Sequence, residues 1–291
     1  MSQTTSGAEG ALPVHPLLDA MSRAVTWVVL RPMRMLPLAT PSLAGLSFER
    51  IRLESQGASL AAWHVPCPGS RRGIVLCHGH NNCRTQLFPL FRPLHEAGFH
   101  VLSFDFRSMG VSGGQHCTYG YRERADVHAA LRWLRTQAGV THTGLLGYSM
   151  GGATALLTAA EDDDVRAVVT ECAFARLEEM VRQRFYFMPP ALRDPLGDGV
   201  RRWSEAATGF SAMDVDPEAA VRDWTPRPLL VIHAERDLLV PPDHGRRLAR
   251  AAGAQGELWM VPHAWHVGCR QVARRTYTTR VVEFLSRHVT G

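Results

Sequence analysis

The sequence predicts an α/β domain, a mostly parallel sheet doubly wound with helices, and three observations carry that expectation. Six short apolar runs recur along the chain: "GIVLC" at 73–77, "HVLSF" at 100–104, "TGLLGY" at 143–148, "RAVVT" at 166–170, "PLLVIH" at 228–233 and "GELWMV" at 256–261. Each has the length and apolar character of a parallel strand buried on both faces. Helical patterns lie between them, so strand and helix alternate to the C-terminus, as crossover connections in a parallel sheet require. The third observation is size: 291 residues, 45 % hydrophobic and 20 % charged, suffice for one large buried core.

From the N-terminus, residues 1–44 read as a leader. Its first fifteen residues lack the basic and then apolar regions of a secretory signal, so the cytoplasm is the expected location. "LLDAMSRAVTWVVLRPMRM" that follows reads as a helix packing on the domain, too short in its apolar part to span a bilayer. Its apolar face with basic flanks also suits a peripheral membrane contact. "FERIRL" at 48–53 and "LAAWHV" at 60–65, separated by "ESQGAS", suit a hairpin of two strands each with an exposed side, which brings the sheet to eight strands. The expected helices are "RTQLFPLFRPLHEAG", "YRERADVHAALRWLRTQ", "GGATALLTAAEDD", "PDHGRRLARAAG" and "VARRTYTTRVVEFLSRH". Residues 174–225 break the alternation: helical pieces interrupted by Pro and Gly, with no strand pattern, read as an insert roofing a pocket at the carboxyl edge of the sheet. The domain itself spans 45–291.

Composition excludes several functions. The formal charge of +5 is scattered, with no Lys/Arg run long enough to track a phosphate backbone, so no nucleic-acid partner is expected. The six cysteines show no small-domain disulfide framework and read as mostly reduced and buried. Oligomeric state leaves no trace in the pattern.

"LLGYSMGG" places Ser149 in Gly-x-Ser-x-Gly directly after a buried strand and before an alanine-rich helix. A serine on so tight a turn needs small neighbours where Cβ atoms would collide, and the following helix aims its free N–H groups at a developing oxyanion. A plain serine N-cap would explain neither Gly147 nor Gly151. Serine needs a base and a group to orient that base. "IHAERDLLVP" offers Glu235 and Asp237 after another buried strand; Asp237 is the better candidate because the following "LLV" buries it and creates its need for a partner. "WMVPHAWHVGCRQ" then offers His263 and His266, in the chain order expected of serine, acid and histidine on a parallel sheet. His78, His80 and Cys83, with either of those histidines, form a metal-like set, but nothing independent calls for an ion, and neither metal nor organic cofactor is expected.

At this point the chain, over about 45–290, resembles the α/β-hydrolase superfamily, and more closely its serine hydrolases related to prolyl-oligopeptidase and serine-aminopeptidase domains. "LCHGHNN", "SFDFRSMGVSGG", "YGYRERADVHAALRWL", "GYSMGG" and "ERDLLVP" carry the resemblance in family order. It implies an α/β-hydrolase fold with a helical lid, and an oxyanion hole made by the backbone N–H groups of Met150 and His80. It implies that Asp105 and Arg107 brace the loops, and that the base is His266, before "VGC", with His263 standing where the family often has a small residue. The expected activity is hydrolysis of a small to medium ester or thioester through an acyl-enzyme, since a domain without a large N-terminal propeller has no obvious gate for selecting peptides, with short-substrate peptidase or amidase action as the alternative. Serine at 149 speaks against relatives that use aspartate there. A binding protein that had lost turnover would show a broken triad, and all three members are present. In the insert, Phe185 and Trp203 are candidates for lining the acyl pocket.

Overall fold

The computed structural model describes residues 16–224 and 226–290; residues 1–15 of the expected leader and the end of the expected insert at 225 lie outside them. The strands are, in chain order, β1 (Glu49–Ser55), β2 (Ala58–Val65), β3 (Arg72–Cys77), β4 (His100–Phe104), β5 (His142–Tyr148), β6 (Val165–Glu171), β7 (Leu229–Ala234) and β8 (Gly256–Val261). They form one sheet in the order β1-β2-β4-β3-β5-β6-β7-β8. β1 and β2 are antiparallel to their neighbours, and the other six strands run parallel. This is the α/β-hydrolase fold.

The helices are α1 (Pro16–Leu30), α2 (Phe91–Glu96), α3 (Glu123–Gln137), α4 (Met150–Ala160), α5 (Leu177–Gln183), α6 (Pro190–Thr208), α7 (Pro217–Asp223), α8 (Pro242–Ala251) and α9 (Cys269–His288). Alternate strand residues feed two cores, one on each face. Val75, Leu145, Val168 and Val231 pack with α3, α4 and α8, whereas Ile74, Leu146, Val169 and Ile232 pack with α2 and α9. A period of two with both faces covered leaves no solvent-facing side, which is why these strands read as mostly apolar runs.

Three expectations change. The hairpin does not leave β2 with an exposed side: β2 lies between β1 and β4, and every residue except Ser59 is buried. Its turn is only two residues, Gln56 and Gly57, both at positive φ (43° and 78°), the tight geometry that matches strand twist. β8 is not fully buried, because it is the sheet edge and only Val261 is buried. The stretch "RTQLFPLFRPLHEAG" contributes just α2 after a short 3₁₀ turn at Phe88–Leu90, since Pro89 and Pro93 lack the N–H that a longer helix would need.

Helices α5, α6 and α7 make up the inserted helical region between β6 and β7. α1 packs chiefly on α6 rather than on the sheet. The hydroxyls of Ser22 and Thr26 donate to the carbonyls of Leu196 (3.4 Å) and Val200 (3.3 Å), and the helices meet so closely that a Cβ on Gly199 would lie 2.1 Å from Ser22 Oγ. Among the described residues no helix is long and apolar enough to cross a membrane. All six cysteines are free thiols, five of them buried.

Candidate active site

The strand order reverses between β3 and β5: from β3 the chain builds outward to β4 on one side, then returns to lay down β5 on the other. Loops leaving the carboxyl ends of strands at such a point diverge and leave a crevice. The loop after β3 carries His78, Gly79 and His80, and the turn after β5 carries Ser149.

Ser149 sits at φ 52°, ψ −119°, a conformation L-residues rarely adopt, with its N–H held by the carbonyl of Glu171 at 2.8 Å. The flanking glycines explain how the turn tolerates it. A Cβ on Gly147 would lie 2.3 Å from the carbonyl oxygen of Gly151, and one on Gly151 would lie 2.3 Å from that of Cys77. Both obstacles are backbone, so no rotamer change relieves them. Strain of this kind persists only where its surroundings enforce it.

His266 Nε2 lies 3.0 Å from Ser149 Oγ, and His266 Nδ1 lies 2.7 Å from Asp237 Oδ2. Asp237 is buried, and its other oxygen accepts the N–H groups of Leu239 (3.0 Å) and Val240 (2.8 Å), so the carboxylate is clamped from the backbone. Burial raises the Asp237 carboxyl, but the His266 hydrogen bond and the Val240 N–H outweigh it and hold it below its usual range. Burial pulls His266 down; the Asp237 hydrogen bond and the nearby Cys172 sulfur push it up more strongly, to about 9. Glu235 is exposed and its side chain takes no part. His263 is exposed in the turn after β8 at φ 61°, a left-handed position that favours glycine. The turn thus aims His263 outward and brings His266 to Ser149.

Gly79 lies beside the serine: a Cβ there would be 3.5 Å from Ser149 Cβ. The His78 ring is fully used, Nε2 accepting the Phe106 N–H (3.0 Å), so that Nδ1 carries the proton donated to the Gly79 carbonyl (2.7 Å). With that carbonyl pinned, the trans peptide sends the His80 N–H the opposite way, and no hydrogen bond occupies it among the described residues. The Met150 N–H opens α4 and has no carbonyl four residues back within the helix. The His80 ring stacks on Tyr119 with centroids 4.6 Å apart, and its Nε2 lies 3.0 Å from the Tyr119 hydroxyl. Burial, aided by the Arg184 guanidinium, lowers the His80 imidazole to about 4, so it is neutral at pH 7. Asp105 accepts the N–H groups of Arg84 (2.7 Å) and Val111 (2.9 Å), and Arg107 pairs with Asp126 at 2.6 Å. Both brace loops away from Ser149.

The metal-like set does not gather: besides the bonds of the two histidines, Cys83 Sγ faces Thr85 Oγ1 at 3.0 Å. Ligand-type atoms converge instead within 4.8 Å in two groups among the described residues, Glu171 with Cys172 and Cys269, and Cys172 with Asp237 and His266. Cys172 behind the histidine had no sequence signal, since it becomes a neighbour of His266 only when β6 and the loop after β8 end at the same sheet edge.

Ser149 and His266 open into a cavity of about 540 Å³ lined mainly by apolar side chains. Phe185 lines it, with Phe174, Leu177 and Phe210 of the inserted region. Trp203 does not: its indole N–H donates to Asp19 Oδ1 at 3.0 Å and the Arg23 guanidinium lies 4.1 Å over its ring, so it anchors α1 instead. The other wall is the N-terminal segment, through Val25, Val28, Val29 and Met33, a contribution sequence reading missed because nothing in the pattern says which face of the domain the leader crosses.

A family model described as alpha/beta hydrolase fold matches residues 74–214. The protein YqkD of Bacillus subtilis is 28 % identical over 237 residues, 79 % of this chain and 76 % of its own length. Among solved structures, the esterase Pf2001 of Pyrococcus furiosus superposes with a TM-score of 0.75 at 24 % identity, over 90 % of this chain and 100 % of that one. Est1E of Butyrivibrio proteoclasticus, solved with ferulic acid, superposes at 0.68 with 20 % identity over 82 % and 99 %. Sheet order, serine elbow and these matches agree on the α/β-hydrolase fold.

Proposed function

We propose that the protein is a serine hydrolase that cleaves carboxylic esters or thioesters of small to medium acyl substrates. The observation that carries this is the hydrogen-bonded line from Asp237 through His266 to Ser149, 2.7 and 3.0 Å long, ending in an apolar cavity. Once His266 has lost its second proton, with Nδ1–H donated to Asp237, it presents an unprotonated Nε2 to Ser149. As Ser149 Oγ attacks the carbonyl carbon, Nε2 takes its proton and the carbonyl electron pair moves onto oxygen, where the N–H groups of His80 and Met150 receive the charge. The imidazolium, stabilised by Asp237, then protonates the leaving oxygen or sulfur as its bond to carbon breaks. Water, deprotonated by the same nitrogen, attacks the acyl-enzyme and restores Ser149. The names of Pf2001 and of the ferulic-acid complex of Est1E support ester chemistry for this fold and crevice.

In this reading residues 1–44 are a leader, 45–291 the hydrolase domain and 174–225 its lid, with α1 and the lid together closing the acyl site. The finer likeness to prolyl-oligopeptidase and serine-aminopeptidase domains would favour amides. The apolar lining, which suits an acyl chain better than a peptide backbone, favours esters. Labelling of the purified protein by a fluorophosphonate, absent in Ser149→Ala, tests the hydrolase reading, and an unlabelled wild type refutes it. Turnover of acyl nitrophenyl esters against aminoacyl arylamides separates esterase from amidase.

A further inference from the structure

From Ala20 to Phe48 the sequence contains three arginines, Arg23, Arg31 and Arg34, and no Asp or Glu. The same stretch exposes Trp27 (59 %), Met33 (66 %), Leu36 (61 %) and Leu38 (92 %). Scattered apolar residues are ordinary on a surface; a run of large ones along one short segment marks an interaction site.

The backbone beneath them is firmly held. The Cys117 N–H donates to the Leu30 carbonyl and the Met33 N–H to Asn81 Oδ1, both at 2.9 Å. The Arg34 guanidinium donates to the carbonyls of Ser112 (2.6 Å) and Gly114 (3.3 Å), which fixes the segment without neutralising its charge. Arg31 lies 5.3 Å over the Trp27 ring, placing a cation beside the largest exposed apolar group. Val28 and Met33 line the cavity that holds Ser149 and are also 62 % and 66 % exposed. The mouth of the cavity is therefore part of this face.

We propose that this face docks on an anionic lipid bilayer. Trp27, Met33, Leu36 and Leu38 enter the interface and Arg31 and Arg34 meet the headgroup phosphates, a combination of apolar area and basic charge that peripheral membrane binding requires. A second copy of the chain fits less well, because a two-fold contact would set the same arginines against each other. Docking holds the cavity mouth against the bilayer, so that the acyl ester enters from the lipid phase; this clause alone rests on the hydrolase reading.

The test is co-sedimentation of the full chain with vesicles of phosphatidylcholine alone or with about one-third phosphatidylglycerol, at low and high salt. Binding to the anionic vesicles is stronger by about tenfold or more and weakens with salt. Leu36→Glu with Leu38→Glu abolishes it while leaving hydrolysis of a water-soluble nitrophenyl acetate unchanged, and Arg31→Gln lowers the preference for anionic vesicles. The proposal is overturned if the wild type binds neither vesicle, binds both equally, or binds as well after the double substitution. It is also overturned if light scattering shows a dimer that the double substitution dissociates. Wild type that binds vesicles yet turns over no ester leaves the docking standing and removes the hydrolase reading, and Ser149→Ala binds vesicles as the wild type does.

Discussion

Replacing Asp237 by Asn tests the geometry of the site more sharply than deleting any member of it. The carboxylate accepts three hydrogen bonds, two from the backbone N–H groups of Leu239 and Val240 on Oδ1 and one from His266 on Oδ2. An asparagine keeps the shape but has one acceptor oxygen. With that oxygen toward the backbone, its NH₂ faces His266 Nδ1. The opposite orientation sets NH₂ against two buried N–H donors and leaves both unpaired, at roughly 1–3 kcal/mol each. The first orientation therefore wins. It forces Nδ1 to accept, moves the ring proton to Nε2, and points a donor at Ser149 where an acceptor is needed. The imidazolium also loses its counter-charge. The expected fall in kcat is about 10³- to 10⁴-fold, or roughly 4 to 5.5 kcal/mol of transition-state stabilisation. The assay is steady-state hydrolysis of a nitrophenyl ester together with the rate of fluorophosphonate labelling, with a melting curve to confirm that the variant is folded. A folded Asp237→Asn protein within tenfold of wild type in kcat would refute the tautomer argument and with it the role of Asp237.

His266→Ala is expected to lower kcat about 10⁴-fold, and His263→Ala, in an exposed turn, to stay within about threefold; the reverse order in the same ester assay would exchange their roles. Because His266 titrates at about 9 rather than its ordinary 6.5, kcat/KM should climb about tenfold per pH unit from neutrality and level off above about 9. Cys172→Ala should move that limb to lower pH by removing one of the groups that raise it, and a profile already flat at pH 7 would sink the assignment. The linked stability has a definite sign. The raised pKa makes the His266 contribution complete below 6.5 and lost as pH rises through about 9, which a series of melting curves reads directly. The depressed Asp237 carboxyl contributes above its ordinary range, and that contribution is lost as pH falls through its folded value. Phe185→Leu, which enlarges the cavity, should shift acyl-length preference toward longer chains by roughly tenfold in relative kcat/KM. Trp203→Phe should leave that preference unchanged and lower the melting temperature, since it frees α1 from α6.

Much of this protein was legible before any coordinates. Strand runs that are mostly apolar, without strict alternation, imply a sheet covered on both faces, and alternation with helices implies parallel strands, so the fold class followed from local pattern alone. Ser149 was legible because collisions at Gly147 and Gly151 are local: a turn of that tightness excludes a Cβ whatever the rest of the chain does. Asp237 was legible for a related reason, an acid caught between a strand and an apolar turn. The hairpin and β8 were misjudged because burial of a strand depends on its place in the sheet, and strand order is not written in any one strand. The resemblance pointed to His266 over His263, and the tertiary structure supplies the reason, His266 facing Ser149 while His263 turns away at positive φ; tertiary structure alone decided that Cys172 stands behind the imidazole and that Trp203 holds α1 rather than substrate. It also decided that the leader forms one wall of the cavity. Pattern reports which faces of an element avoid water, a property of neighbours in sequence; which face meets which depends on crossovers that bring residues more than a hundred apart to the same sheet edge.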